Sequence, residues 1–323
     1  MRIGLHLAEP ASTLGLAPRR RRAARGVPIA GQPNDMLAHT FAPRVHGRQL
    51  RTGRDDWPRS DQPLAMVAEV ERHADGTARI SYSALFSNED GGTETRELLA
   101  RWGRTTDYEG LYSVSVGRDG RIVAGSERYQ ARNHTWRRFA GPHDAGRAVL
   151  HVSTANNMLA PGAGASQRVI DASDLLVLRR DRQTRRPDAL DIMSRVPNAW
   201  RDMAREVRRE GKVTPAGGIR VAGERIEDPR RYVYIAGAPR AGTRIRVTLS
   251  NGRTVIVRVP ARDVPDGRSV AVALPDGVRG ADVTRIQQTA RARGAELYRS
   301  VTVLGDDDQP HVFDVRGTGA RRT

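Results

Sequence analysis

In PLAMVAEVER, residues 63–72, the side chains of Leu64, Met66, Ala68 and Val70 fall on one face of a strand. After the turn HADGT, Ile80, Tyr82, Ala84 and Phe86 alternate in the same way, so the two runs predict a hairpin with one face toward a core. TETRELLARWG then changes period. Glu94 and Glu97 suit the first turn of a short helix, Leu98 and Trp102 meet at i,i+4, and Gly103 ends it. LYSVSVGRDGRIVAG reads as a second hairpin turning at Asp119-Gly120, and AVLHVSTAN and SDLLVLRR read as further strands. The strongest helix is PNAWRDMAREVRREGK: Pro197 suits its first turn, Gly211 its C-terminal cap, and Trp200, Met203, Ala204 and Val207 form an apolar stripe. Beyond a glycine-rich stretch at 213–228, YVYIAG, SVAVALP, SVTVL and HVFDV predict strands. RIRVTLSNGRTVIVRVP predicts a hairpin around Asn251-Gly252, and ADVTRIQQTARARGAELY predicts a helix.

Hairpins outnumber helix-separated strand pairs. The expected fold is therefore β-rich, all-β or α+β, with antiparallel hairpins or a sandwich and two or three helices. Residues 1–60 lack periodicity and carry the basic run Arg19–Arg22, which predicts a disordered basic N-terminal arm. A β-rich domain is expected over 61–212, a smaller β-rich lobe with one helix over 213–317, and a loose tail over 318–323.

Composition changes this picture little. Lys+Arg number 54 against 37 Asp+Glu, a formal charge of +17, which raises a polyanion as a partner. Lys212 is the only lysine, however, and a GC-rich coding bias explains a basic set that is otherwise all arginine better than phosphate recognition does. Nucleic acid is not favoured on this ground, and no helix-turn-helix, zinc-finger or RRM-type motif occurs. The chain has no cysteine, so disulfides, thiolate nucleophiles and Cys-ligated zinc are excluded. Walker-type and Rossmann glycine motifs are absent, as is a run of ~18 apolar residues. The N-terminal basic cluster follows the weakly apolar part, the reverse of an export signal. The chain as it stands reads as cytoplasmic, and as secreted if its start is truncated or misassigned.

Candidate chemistry concentrates between Phe86 and Glu109, FSNEDGGTETRELLARWGRTTDYE. Two acidic turns flank one short helix. If they converge, Asn88, Glu89, Asp90, Asp107 and Glu109 offer hard oxygens for a Ca²⁺-type site, without the alternating ligand spacing of an EF-hand. Glu89, Asp90 or Glu109, partly buried against Trp102 or Tyr108, would serve equally as a general acid or base. An ordinary solvated turn supporting a helix N-terminus accounts for the same residues. His134, His143, Asp144 and His151 form a looser group without H-E-x-x-H spacing or a nucleophile elbow, and they read as surface or hydrogen-bonded side chains. Asn156 and Asn157 would contact sugar hydroxyls with Trp136 or Tyr129 as a stacking platform, or else are turn asparagines beside core aromatics.

Residues 63–158 resemble a group of uncharacterised, often exported bacterial proteins. The resemblance rests on PLAMVAEVER, FSNEDGGT, ARWGRTTDYE and, more loosely, VSTANNM. It implies that the acidic turn, helix, acidic turn span is a feature of the group, and it implies no activity. The leading functional expectation is a binding protein for a carbohydrate or other polyanionic ligand, steadied by Ca²⁺ and contacted through Trp102, Arg104, Tyr108, Asn156 and Asn157. The alternatives are a carboxylate-dependent hydrolase of a glycan or ester, and a structural or interaction protein. A nucleic-acid binder would need its arginines gathered on one face.

Overall fold

The computed structural model describes residues 27–48, 62–89, 93–164, 169–178, 189–214, 225–237, 241–259, 269–290 and 300–314. The chain opens with helix α1 (Asn34–Phe41) and strand β1 (Arg44–His46). The first predicted hairpin follows as β2 (Pro63–Arg72) and β3 (Ala78–Phe86), then α2 (Thr95–Trp102) and β4 (Asp107–Val116). Next come β5 (Arg128–Ala131), β6 (Thr135–Arg138), β7 (His143–Asp144) and β8 (Arg147–Val152). After these the chain forms β9 (Leu159–Pro161), β10 (Val169–Ile170) and β11 (Leu175–Leu178). Helices α3 (Ala189–Met193) and α4 (Ala199–Arg209) lead to β12 (Tyr232–Ala236), β13 (Arg244–Leu249) and β14 (Thr254–Arg258). The last strands are β15 (Val270–Ala273), β16 (Val283–Ala290), β17 (Ser300–Leu304) and β18 (Pro310–Asp314). The result is an α+β fold with four mostly antiparallel sheets.

The layers follow from which faces are apolar. The six-stranded sheet β11-β2-β3-β4-β5-β6 packs one face against the sheet β10-β1-β8-β7 and helix α1. Met66, Ala68, Ile80, Tyr82, Ala84 and Phe86 fill this first core, as the alternation predicts. Leu64 instead borders the second core, because the register shifts between Pro63 and Ala65. That second core joins Val67 and Leu85 to Trp200, Met203 and Val207 of α4 and to Tyr232 and Tyr234 of β12. A third core lies between the sheets β15-β12-β17-β18 and β14-β13-β16.

Three expectations are corrected. Residues 27–48 belong to the first core rather than to a disordered arm: Leu37, Ala38 and Val45 are buried there, and β1 pairs with both β8 and β10. Low local periodicity hid them, since a helix of two turns and a three-residue strand are too short to show a period. The helix expected within ADVTRIQQTARARGAELY is a strand over Val283–Ala290, where pairing with β13 outweighs local helix preference. Four α-helices stand among the described residues rather than two or three. The Asp119-Gly120 turn forms as expected, with a bridge from Val116 to Ile122, but the returning strand begins only at Arg128. The remaining arm, with Arg19–Arg22, and the tail after residue 317 lie outside the described residues.

Candidate functional site

A β-bulge organises the acidic residues. On β3 and β4, Tyr82 stands opposite Tyr112 while Ser83 stands opposite Gly110, so Leu111 is the extra residue. Paired residues share a face, so the bulge moves Asp107, Glu109 and Leu111 to the side that carries Tyr112 and Val114. Asp107 lies opposite Phe86 and Glu109 opposite Ala84, both core residues. The strand that begins with DYE thus turns two carboxylates inward. β5 pairs with β4 only at Tyr112 and Ser113, and beyond them the strands part. Gln130 spans that gap, donating from Nε2 to Glu109 Oε2 at 2.9 Å.

Around this point a polar network runs through the interior. His134 Nδ1 lies 3.3 Å from Glu109 Oε2, and Asn156 reaches His134 Nε2 at 3.4 Å. Consecutive positive φ angles at Asn133 and His134 turn the β5–β6 hairpin and aim the ring back at Glu109. Glu109 and Asp107 share a side-chain hydrogen bond. Asn157, fully buried, donates from Nδ2 to Asp107 Oδ2 at 3.0 Å and to the Asn88 carbonyl at 3.1 Å. Asn88 donates in turn to Glu210 Oε2 at 2.7 Å, and Lys212 lies 2.9 Å from that oxygen. The network therefore runs from the β5–β6 turn to the residues just past α4.

Electrostatics in the cluster favour bound protons. Burial, followed by the Asp107 charge, pushes Glu109 up to about 8. Burial and then Asp107 do the same to Glu89, also to about 8. Asp107 is raised by burial, against the opposing pull of Arg104 and the hydrogen bond from Asn157. Arg104 is itself buried, and its charge partly offsets all three carboxyls.

Glu109 also opens onto a cavity of about 410 Å³. Glu69, Arg79, Ser81, Ser83, Ser113 and Trp136 line it together with Gln130, Gly110 and Tyr108. Ser81, Ser83 and Ser113 supply hydroxyls from the face of the sheet opposite the first core. Trp136 closes one side and is 48% exposed. A Cβ on Gly110 would stand 2.8 Å from Trp136 Cζ2, so the bare glycine is what lets the ring settle against the strand.

The structure brings together Asn88, Glu89, Arg104, Asp107, Glu109 and Asn157, with Asn156 at the edge and Tyr108 in the cavity wall. Asp90 lies outside the described residues. Trp102 is elsewhere: it is half-buried on α2, with the Arg101 guanidinium 4.8 Å from its ring centre. Among the described residues no group of three or more His, Asp or Glu side chains is disposed to hold a metal ion. Tyr129 packs edge-on to Phe139 against the first core. Of the loose histidine group, His143 bonds Glu127 at 2.8 Å and His151 the Gly162 carbonyl at 3.1 Å, as hydrogen-bonded histidines would. His134 is hydrogen-bonded too, to Gln130 at 3.0 Å, and it alone of the group reaches the acid cluster. Sequence reasoning missed Glu69, Arg79, Gln130 and the serines, whose only signal was small polar residues alternating with core positions. No helix among the described residues is long and apolar enough to cross a membrane. Comparison of the chain with protein-family models, curated proteins and solved structures finds no match.

Proposed function

We propose that the cavity beside Glu109 binds a carbohydrate. One observation carries this reading: the indole of half-exposed Trp136 stands against a wall of serine hydroxyls, the Gln130 amide and carboxyl groups. An aromatic face takes the apolar C–H face of a sugar ring, and a few fixed polar groups orient its hydroxyls. Glu109, protonated at neutral pH, would donate a hydrogen bond to a sugar oxygen rather than repel it. The lining favours a neutral ligand over a polyanion, because the Glu69 carboxylate offsets the single guanidinium, that of Arg79, among its described lining residues. A screen of the folded chain against neutral and acidic glycans tests the reading. Retention of a neutral glycan by the wild type, lost in Trp136→Ala while stability stays within about 0.5 kcal/mol, is the expected result. Equal retention by both proteins, or by neither, refutes it.

A second reading is favoured by the pairing of Glu109, poised near neutrality, with a further carboxyl, Glu69, in the same cavity. Such a pair suits glycan hydrolysis, Glu109 acting as general acid. Glu109→Gln keeps the shape and the amide hydrogen bonds but has no proton to give. A binding protein keeps its ligand with this substitution, whereas a hydrolase binds and stops releasing reducing ends.

A further inference from the structure

Among the described residues, the outer face of the sheet β14-β13-β16 carries arginines and no carboxylate. Ile245, Val247, Leu249 and Val257 point into the third core, so Arg244, Arg246 and Thr248 of β13 and Thr254, Ile256 and Arg258 of β14 face outward. The register then gathers the charges. Arg244 stands opposite Arg258, Arg246 lies between Ile256 and Gln287, and Thr248 lies between Thr254 and Arg285. Arg246, Arg258 and Arg285 are exposed and have no ion-pair partner among the described residues.

We propose that this face docks the phosphodiester backbone of a duplex nucleic acid. The guanidinium fork matches phosphate oxygens in pairs. Three strands span about 10 Å, and duplex DNA carries one charge per ~1.7 Å of axis, so the patch meets several phosphates at once. Among its described residues the face has no aromatic side chain on which unpaired bases would stack, which disfavours a single strand as the occupant. Among its described residues the only exposed large apolar side chain is Ile256, too little to insert into a lipid surface. Binding through these side chains positions the duplex without reading its sequence. The proposal is independent of the carbohydrate reading, since it uses another sheet.

Anisotropy of a fluorescent mixed-sequence duplex, titrated with the full chain at several salt concentrations, tests it. Arg246→Glu with Arg258→Glu should weaken binding at least about tenfold and flatten the log–log salt slope by about 1.8, from ~0.9 per phosphate contact. Arg96→Glu with Arg205→Glu makes the same charge change on exposed positions of α2 and α4 and should leave both quantities nearly unchanged. Should the glutamate pair disturb folding, Arg246→Gln with Arg258→Gln should show the same loss in smaller measure. Equal losses in the face and control pairs would assign binding to net charge and overturn the proposal. So would undiminished binding by the face variants, or retention of the wild type on anionic phospholipid vesicles but not on the duplex.

Discussion

Replacing Asp107 by Asn removes a charge from the buried acid cluster while keeping its shape, since Asn157 Nδ2 can still donate to the new amide oxygen. Burial raises Glu109 and Glu89 first, and the Asp107 charge raises each of them further. At ~4 Å and an effective dielectric constant of ~20, one like charge is worth about 4 kcal/mol, or about three pH units. Asp107 is itself raised by burial, so the fall expected at Glu109 is smaller than this full value. Carboxyl ¹³C shifts of labelled glutamate, followed with pH, read that midpoint directly. Stability supplies a second readout. In the unfolded chain these carboxyls ionise near their ordinary value of 4.5, whereas in the folded chain they hold their protons to about 8. The folded state therefore binds more protons across this window, and stability is lost as pH rises through it, at most about 1.4 kcal/mol per unit and group. Glu206, pushed by burial to about 7, adds in the same direction. Urea unfolding at the two ends of the window should find the wild type weaker at the alkaline end and Asp107→Asn less so. An unchanged Glu109 midpoint together with an unchanged difference between the two ends would refute the account of the cluster.

Gly103→Ala should cost about 2 kcal/mol or more by urea unfolding, because φ is +66° there and the added Cβ would lie 2.9 Å from the Val270 backbone; a wild-type midpoint would show that α2 and β15 do not meet as described. Arg208 bonds both Asp228 and Asp308 at 2.7–2.9 Å, so Arg208→Ala should cost about 3 kcal/mol. Burial opposes ionisation of Asp228, yet the hydrogen bonds from Arg208 and Arg230 hold it well below the usual carboxylate range. Its contribution is lost only as pH falls below ~4, so the variant should show a smaller acid loss than the wild type.

Alternation alone determined much of the architecture. Ile80, Tyr82, Ala84 and Phe86 reach the core their period assigns, Trp200 is buried with the stripe it begins on α4, and Asn251-Gly252 turns the β13–β14 hairpin. These are local properties, written in spacing and turn chemistry. The acidic span was equally visible as a candidate, because carboxylates, glycines and an aromatic stand close together in the chain. What those carboxylates do was decided elsewhere. Leu111 as a bulge turns Asp107 and Glu109 inward, the parting of β5 from β4 opens Glu109 to a cavity, and Asn157 arrives from fifty residues away to hold Asp107. Neither the burial that raises these carboxyls nor the cross-strand register that collects Arg244, Arg246, Arg258 and Arg285 on one face has a signature in local sequence. Both depend on which distant strands pair and in what register. Residue types set the chemistry that was available, and the sheet geometry set which of it meets.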